Sequence, residues 1–176
     1  MPGRVGAGLA SPLHHTLALP SWWGDHPYAN EKGLKKKMST NVFTRLSDEH
    51  DTLLPLIVEI QAAAEAQDTT VLLAKLLAGR VALTEELDAH IALEEDVAFS
   101  IIGQVIGEEI VAPFRTEHTE IRELRDAVLA QADSGSAPFN LCLQLCDVIQ
   151  AHMQREDLVL FPSARDALDT EALELS

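Results

Sequence analysis

The chain has 176 residues, 13 Lys and Arg against 28 Asp and Glu, and a formal net charge of −15. That length suits one domain with a spare segment. A surface this acidic repels phosphate backbones and anionic lipid, which argues against nucleic-acid and membrane-surface binding and leaves metal cations as better partners. No apolar run approaches the ~18–20 residues of a spanning helix. Pro12, His14 and His15 interrupt any secretory core near the N-terminus. Cys142 and Cys146 are too few and too close for a disulfide framework, so the expected compartment is the cytoplasm.

Residues 1–40 hold five of the nine glycines, four of the eight prolines and both tryptophans, and five basic residues against two acidic ones. With no apolar periodicity, residues 1–38 read as a flexible or loosely docked extension. Met38 is a second possible start of the chain.

From Ser39 the pattern is helical. Phe43, Leu46, His50, Leu53 or Leu54, Ile57 and Ile60 share one face of a first helix capped by Ser39, Thr40 or Asn41, and Pro55 bends it without ending it. Asp68 caps a second helix with Leu72, Leu76, Leu83, Leu87, His90, Glu94 and Val97 on one face. A third carries Val111, Phe114, His118, Ile121, Leu124 and Val128. Ser136 is the expected cap of a fourth, with Pro138 in its first turn, Leu141, Leu145, Val148, His152, Glu156 and Val159 on its face, and Pro162 as its stop. A short helix over 164–173 comes last. The expectation is an all-α, up-down-up-down four-helix bundle over residues 39–168, with 169–176 as a tail.

Each helix places one histidine on its apolar face: His50, His90, His118 and His152. If a core stripe takes about three of every seven positions, chance puts all four there with a probability of roughly 0.03. Helices two and four add a glutamate four residues on, Glu94 and Glu156, one turn away on the same side. The halves of the chain repeat. Glu49-His50 matches Glu117-His118, and His90-x-x-x-Glu94-Glu95-x-Val97-x-Phe99 matches His152-x-x-x-Glu156-Asp157-x-Val159-x-Phe161. Two such halves facing each other supply four imidazoles and two carboxylates, a ligand set for two metals bridged by two glutamates. Burying those carboxylates without cations would cost several kcal/mol each.

With Leu160-Phe161-Pro162 after the last pair, this pattern resembles the hemerythrin-like, or HHE cation-binding, proteins over about residues 38–168. The resemblance implies a non-haem di-iron centre with His50, His90, His118 and His152 as terminal ligands and Glu94 and Glu156 as bridges. Oxygen-carrying members have a further histidine where this chain has Arg122, and an aspartate at the offset of Asp157, which therefore competes with Glu156; the internal repeat favours Glu156. Ferritin-like Glu-x-x-His pairs are absent, since no acidic residue stands three before any of the four histidines.

The implied function is binding or sensing of a small gaseous or peroxide ligand, such as oxygen, nitric oxide or peroxide. The alternatives are an enzyme that turns such a molecule over, or an iron donor in iron–sulfur-cluster repair. Repair proteins of this kind usually carry a cysteine-containing N-terminal domain, and this sequence has no cysteine before Cys142. Cys142 and Cys146 read as buried free thiols.

Overall fold

A computed structural model describes the backbone of residues 31–174 and the side chains of residues 42–169. Most of the expected N-terminal extension, with His14, His15 and His26, lies outside the described residues. Those residues are almost wholly helical and include no strand. None of their helices is long and apolar enough to cross a membrane.

Helix α1 (Glu31–Glu65) is followed by α2 (Thr69–Ala78), α3 (Leu87–Leu93) and α4 (Phe99–Val105), the last three joined into one run through π turns at Ala82–Glu86 and Glu94–Ala98. A two-residue link, Ile106-Gly107, leads to α5 (Glu108–Asp133), and Gly107 takes the positive φ of 119° that the tight reversal needs. Helix α6 (Phe139–Arg155) continues through a π turn at Glu156–Leu160 into α7 (Phe161–Glu174).

Apolar residues gather in two clusters. One contains Ile57, Ile60, Leu72, Leu76, Leu83, Leu87, Ile121, Val128, Cys142, Leu145, Cys146 and Ile149. The other contains Phe43, Leu46, Phe99, Ile102, Val111, Phe114, Leu160, Phe161 and Ala164. Each helical run crosses from one cluster to the other, and successive runs cross in opposite directions. The four histidines stand at the crossing level of all four runs.

Several local expectations are corrected. Ser39, Thr40 and Asn41 lie inside α1 instead of capping it, because the helix already begins at Glu31. Val97 and Val159 are exposed, and Ala98, Phe99, Leu160 and Phe161 are buried in their place. The π turn adds a residue to the helical repeat and carries the apolar stripe one position on. It also explains why Pro162 does not end the fourth run. The Phe161 N–H reaches back five residues to the Glu156 carbonyl, and the wider turn relieves the clash of a proline ring with the carbonyl four residues before it.

Ser136 gives no capping bond to α6, whose cap position is Pro138. The buried stripe of α6 is Cys142, Leu145, Cys146, Ile149, His152 and Met153, with Leu141 and Val148 only half-buried. Both cysteines are free and buried. Burial pushes their pKa values up to about 11 and about 12, which keeps them as thiols at neutral pH.

The Asp68 cap is present: its side chain accepts from the Val71 N–H at 3.0 Å. Asp68→Ala should therefore cost about 1 kcal/mol, seen as a melting point roughly 2–4 °C lower by circular dichroism.

Candidate metal centre

The structure brings all six predicted residues together. His50, His90, Glu94, His118, His152 and Glu156 are buried, and their atoms form two groups that share both glutamates. His50, His90, Glu94 and Glu156 make one group, and Glu94, His118, His152 and Glu156 the other, with the ligand-type atoms in each within 4.8 Å of one another.

Every imidazole is held from behind by a carboxylate. His50 Nδ1 donates to Asp157 Oδ2 at 2.9 Å, His90 Nδ1 to Glu49 Oε2 at 2.9 Å, His118 Nδ1 to Glu95 Oε1 at 2.8 Å, and His152 Nδ1 to Glu117 Oε2 at 3.0 Å. An ionised carboxylate only accepts, so each neutral ring keeps its proton on Nδ1 and turns a bare Nε2 lone pair inward. The inward nitrogens then meet in pairs, His50 with His90 at 3.0 Å and His118 with His152 at 3.1 Å. Two lone pairs that close repel unless a metal cation lies beside both or a proton lies between them. Two nitrogens each about 2.1 Å from one cation and at right angles about it would stand roughly 3.0 Å apart.

The glutamates complete this arrangement. Glu94 Oε1 lies 2.9 Å from His90 Nε2, while its Oε2 lies 3.0 Å from His118 Nε2, so one carboxylate spans both imidazole pairs. Glu156 Oε2 faces one nitrogen of each pair, His50 at 3.4 Å and His152 at 3.2 Å. All four oxygens of the two glutamates are buried without a hydrogen-bond donor. Short separations to nitrogens that carry no proton are not hydrogen bonds. Unpartnered carboxylate oxygens and converging imidazole lone pairs are the donor set of a dication, and the residues fit one in each group.

Burial pushes both inner carboxyls up. In metal-free protein, inward protons on the surrounding imidazoles hold Glu94 well below the ordinary carboxylate value, and its charge drives Glu156 well above it. Burial also raises Glu49 and Glu117, but their imidazole and arginine partners hold both below the ordinary value, so they stay ionised. Burial lowers His90 and His152, yet the carboxylates around them raise both overall. Without a cation, protons would have to balance this cluster.

The outer carboxylates are themselves clamped. Arg45 Nε bonds Glu49 at 2.7 Å, Arg155 bonds Glu117, Arg122 Nη1 reaches Glu95 at 3.3 Å, and the Ser47 hydroxyl donates to Asp157 at 2.6 Å. Asp157 thus stands behind His50 instead of beside Glu156. Arg122 acts through Glu95 at the rim. Sequence reasoning missed Glu49, Glu95 and Glu117 in this role, although the repeat pairs Glu49 with Glu117 and Glu95 with Asp157. Buried Arg125 was also missed; it bonds Asp88 at 2.6 Å and Asp126 at 2.9 Å.

Phe161 stacks on His50, Phe99 on His118, and Phe114 meets the edge of His152. Toward the other apolar cluster, Leu53, Leu87, Ile91, Ile121, Ile149 and Met153 enclose a cavity of about 10 Å³ against His50, His90 and His152. That is room for one water-sized molecule between apolar walls.

The chain is similar to proteins named iron-sulfur cluster repair protein YtfE. The one from Enterobacter sp. (strain 638) is 28% identical over 143 residues, 70% of this chain and 63% of the relative. The one from Salmonella newport (strain SL254) is 30% identical over 96 residues, 47% of this chain and 44% of the relative. The chain therefore spans less than two thirds of the length of these relatives. No protein-family model and no solved structure matches it.

The raised Glu156 carboxyl makes the stability of metal-free protein depend on pH. Its contribution is fully present below the ordinary value of 4.5 and is lost as pH rises toward the higher folded value. Glu156→Gln removes that loss. In chelator, the variant should melt progressively higher than the parent as pH rises from about 4.5 to neutrality, measured by thermal scans across pH.

Proposed function

We propose that the chain is an up-down-up-down four-helix bundle of the hemerythrin-like kind that holds two non-haem iron ions and binds or senses a small oxidant. His50, His90, His118 and His152 are the terminal ligands, and Glu94 and Glu156 are the bridges. The observation that carries this reading is the inward set of four imidazole Nε2 atoms and four unpartnered carboxylate oxygens, arranged as two groups with shared glutamates. Mixed imidazole and carboxylate ligation suits iron, and manganese or zinc less specifically. Bound iron supplies one-electron chemistry toward oxygen, nitric oxide or peroxide.

The residues of the chain set what reaches that chemistry. The outer carboxylates fix each ring by its Nδ1 proton and raise the basicity of the inward nitrogen. Arg122, bonded to Glu95, takes the place of a further imidazole, which leaves fewer nitrogen ligands than an oxygen carrier has. The small apolar cavity against three of the histidines has room for a water-sized molecule, which favours a small ligand over a larger substrate. A second reading, an iron donor in iron–sulfur-cluster repair, is favoured by the names of the relatives. Turnover of the same oxidants is the enzymatic variant of the first reading. The proposed setting is the cytoplasm.

Protein reconstituted with ferrous iron without air should hold about two ions per chain by elemental analysis. Glu94→Ala and Glu156→Ala should each lose at least one. Asp157→Ala and Glu95→Ala should only weaken binding, by about 10–100-fold, and still fill at saturating iron. If Asp157→Ala strips metal and Glu156→Ala does not, the second bridge is misassigned.

A further inference from the structure

The two halves of the centre share a sequence motif but differ in how firmly their rings are held. His90 and His152 are equivalent in the repeat, each four residues before a glutamate. His152 is 3% exposed, with Phe114 against its edge at 5.7 Å. His90 is 8% exposed, and its one described ring contact is His50. His50 and His118 are backed by Phe161 and Phe99.

The carboxylates behind the equivalent rings differ in the same sense. Glu117 is 16% exposed in its side chain, and its partner Arg155 lies over the Phe114 ring at 5.5 Å. Glu49 is 34% exposed, and its partner Arg45, one turn away on the same helix, is 65% exposed. An exposed ion pair of that kind holds weakly and opens often. A small cavity beside Leu87 and Ile91 borders the His90 ring. It also touches His50 and His152, but phenyl rings pin those two.

We propose that the two metal positions exchange unequally: the ion of the His50/His90 pair enters and leaves past His90, with Glu49 and Arg45 as the latch, while the ion of the His118/His152 pair is retained. Opening needs the Arg45–Glu49 pair to part and the His90 ring to turn, which removes one terminal ligand from one ion alone. On the other side the same motion would have to displace Phe114 and the arginine stacked on it. The inference rests on the two-ion reading, and it gives one half of the centre a role in supplying metal.

Full-length protein loaded anaerobically with ferrous iron would be counted for metal, then mixed with excess ferrous chelator while the coloured chelate is followed in time. Two phases of one ion each are expected. Glu49→Gln should speed the fast phase about tenfold and leave the slow one unchanged. Arg45→Ala, at an exposed position, should speed the same phase, and Glu117→Gln should act on the slow phase. A merely structural effect of these changes would move both phases together. Release of both ions in a single phase, or a fast phase that answers to Glu117→Gln and not to Glu49→Gln or Arg45→Ala, would overturn the proposal. A starting count near one ion would instead overturn the two-ion reading, and the proposal with it.

Discussion

Two carboxylates buried to 0% exposure, with no donor on any of their four oxygens, set the constraint to which the surrounding structure answers. A protein interior does not keep such groups charged unless cations meet them, and the cost of an unmet pair exceeds what one or two hydrophobic contacts return. The imidazoles could have relieved it by donating inward. Neutral rings are kept from doing so by Glu49, Glu95, Glu117 and Asp157, each of which accepts from an Nδ1–H. The outer shell therefore decides the chemistry of the inner one. It engages the four protons at the rim and leaves the middle rich in lone pairs. Three arginines and a serine then hold the outer carboxylates in place.

The backbone carries the mark of the same demand. At Glu94-Glu95 and again at Glu156-Asp157, consecutive residues must serve opposite sides of an imidazole layer: the first faces bare nitrogens, the second reaches the Nδ1 of a histidine on another helix. A π turn starts at each of these pairs. The added residue also re-phases the rest of each run. It exposes Val97 and Val159, and it turns Phe99 and Phe161 onto His118 and His50. An uninterrupted α-helix in those runs would keep the valines inward and take the phenyl rings off the imidazoles they support. Both π turns are thus part of how the site is built.

The same π turns separate the parts of the molecule that were legible in sequence from those that were not. The six inner residues stood out because a pair one helical turn apart obeys the ordinary 3.6-residue period, which holds from His90 to Glu94 and from His152 to Glu156. Beyond those glutamates the hydrogen-bond register changes, and no reading of apolar spacing can see that; the inward assignment of Val97 and Val159 and the stop at Pro162 failed for this one reason. The outer carboxylates were hidden differently. Glu49 and Glu117 are partly exposed, and an acidic residue on a helix surface is ordinarily just solvated. Only the repeat, which sets Glu49 against Glu117 and Glu95 against Asp157, carried a trace of their role. Arg125 had no such trace, since its partners Asp88 and Asp126 lie on another run and beside it.

A repeated motif invites the conclusion that the halves are equivalent, and the paired imidazole nitrogens do obey it, at 3.0 and 3.1 Å. Equivalence ends where the repeat ends. Position 114 is a phenylalanine four residues before His118, whereas the matching position before His50 is Leu46, which offers no ring to the His90 side. Glu117 finds its arginine on a neighbouring helix, while Glu49 finds one on its own. Asp157 is bonded by a hydroxyl where Glu95 is bonded by a guanidinium. None of these differences touches an atom of the six inner residues, and each changes what holds an inner side chain in place. In a centre built from two copies of one motif, the side chains one layer further out are where the halves become different.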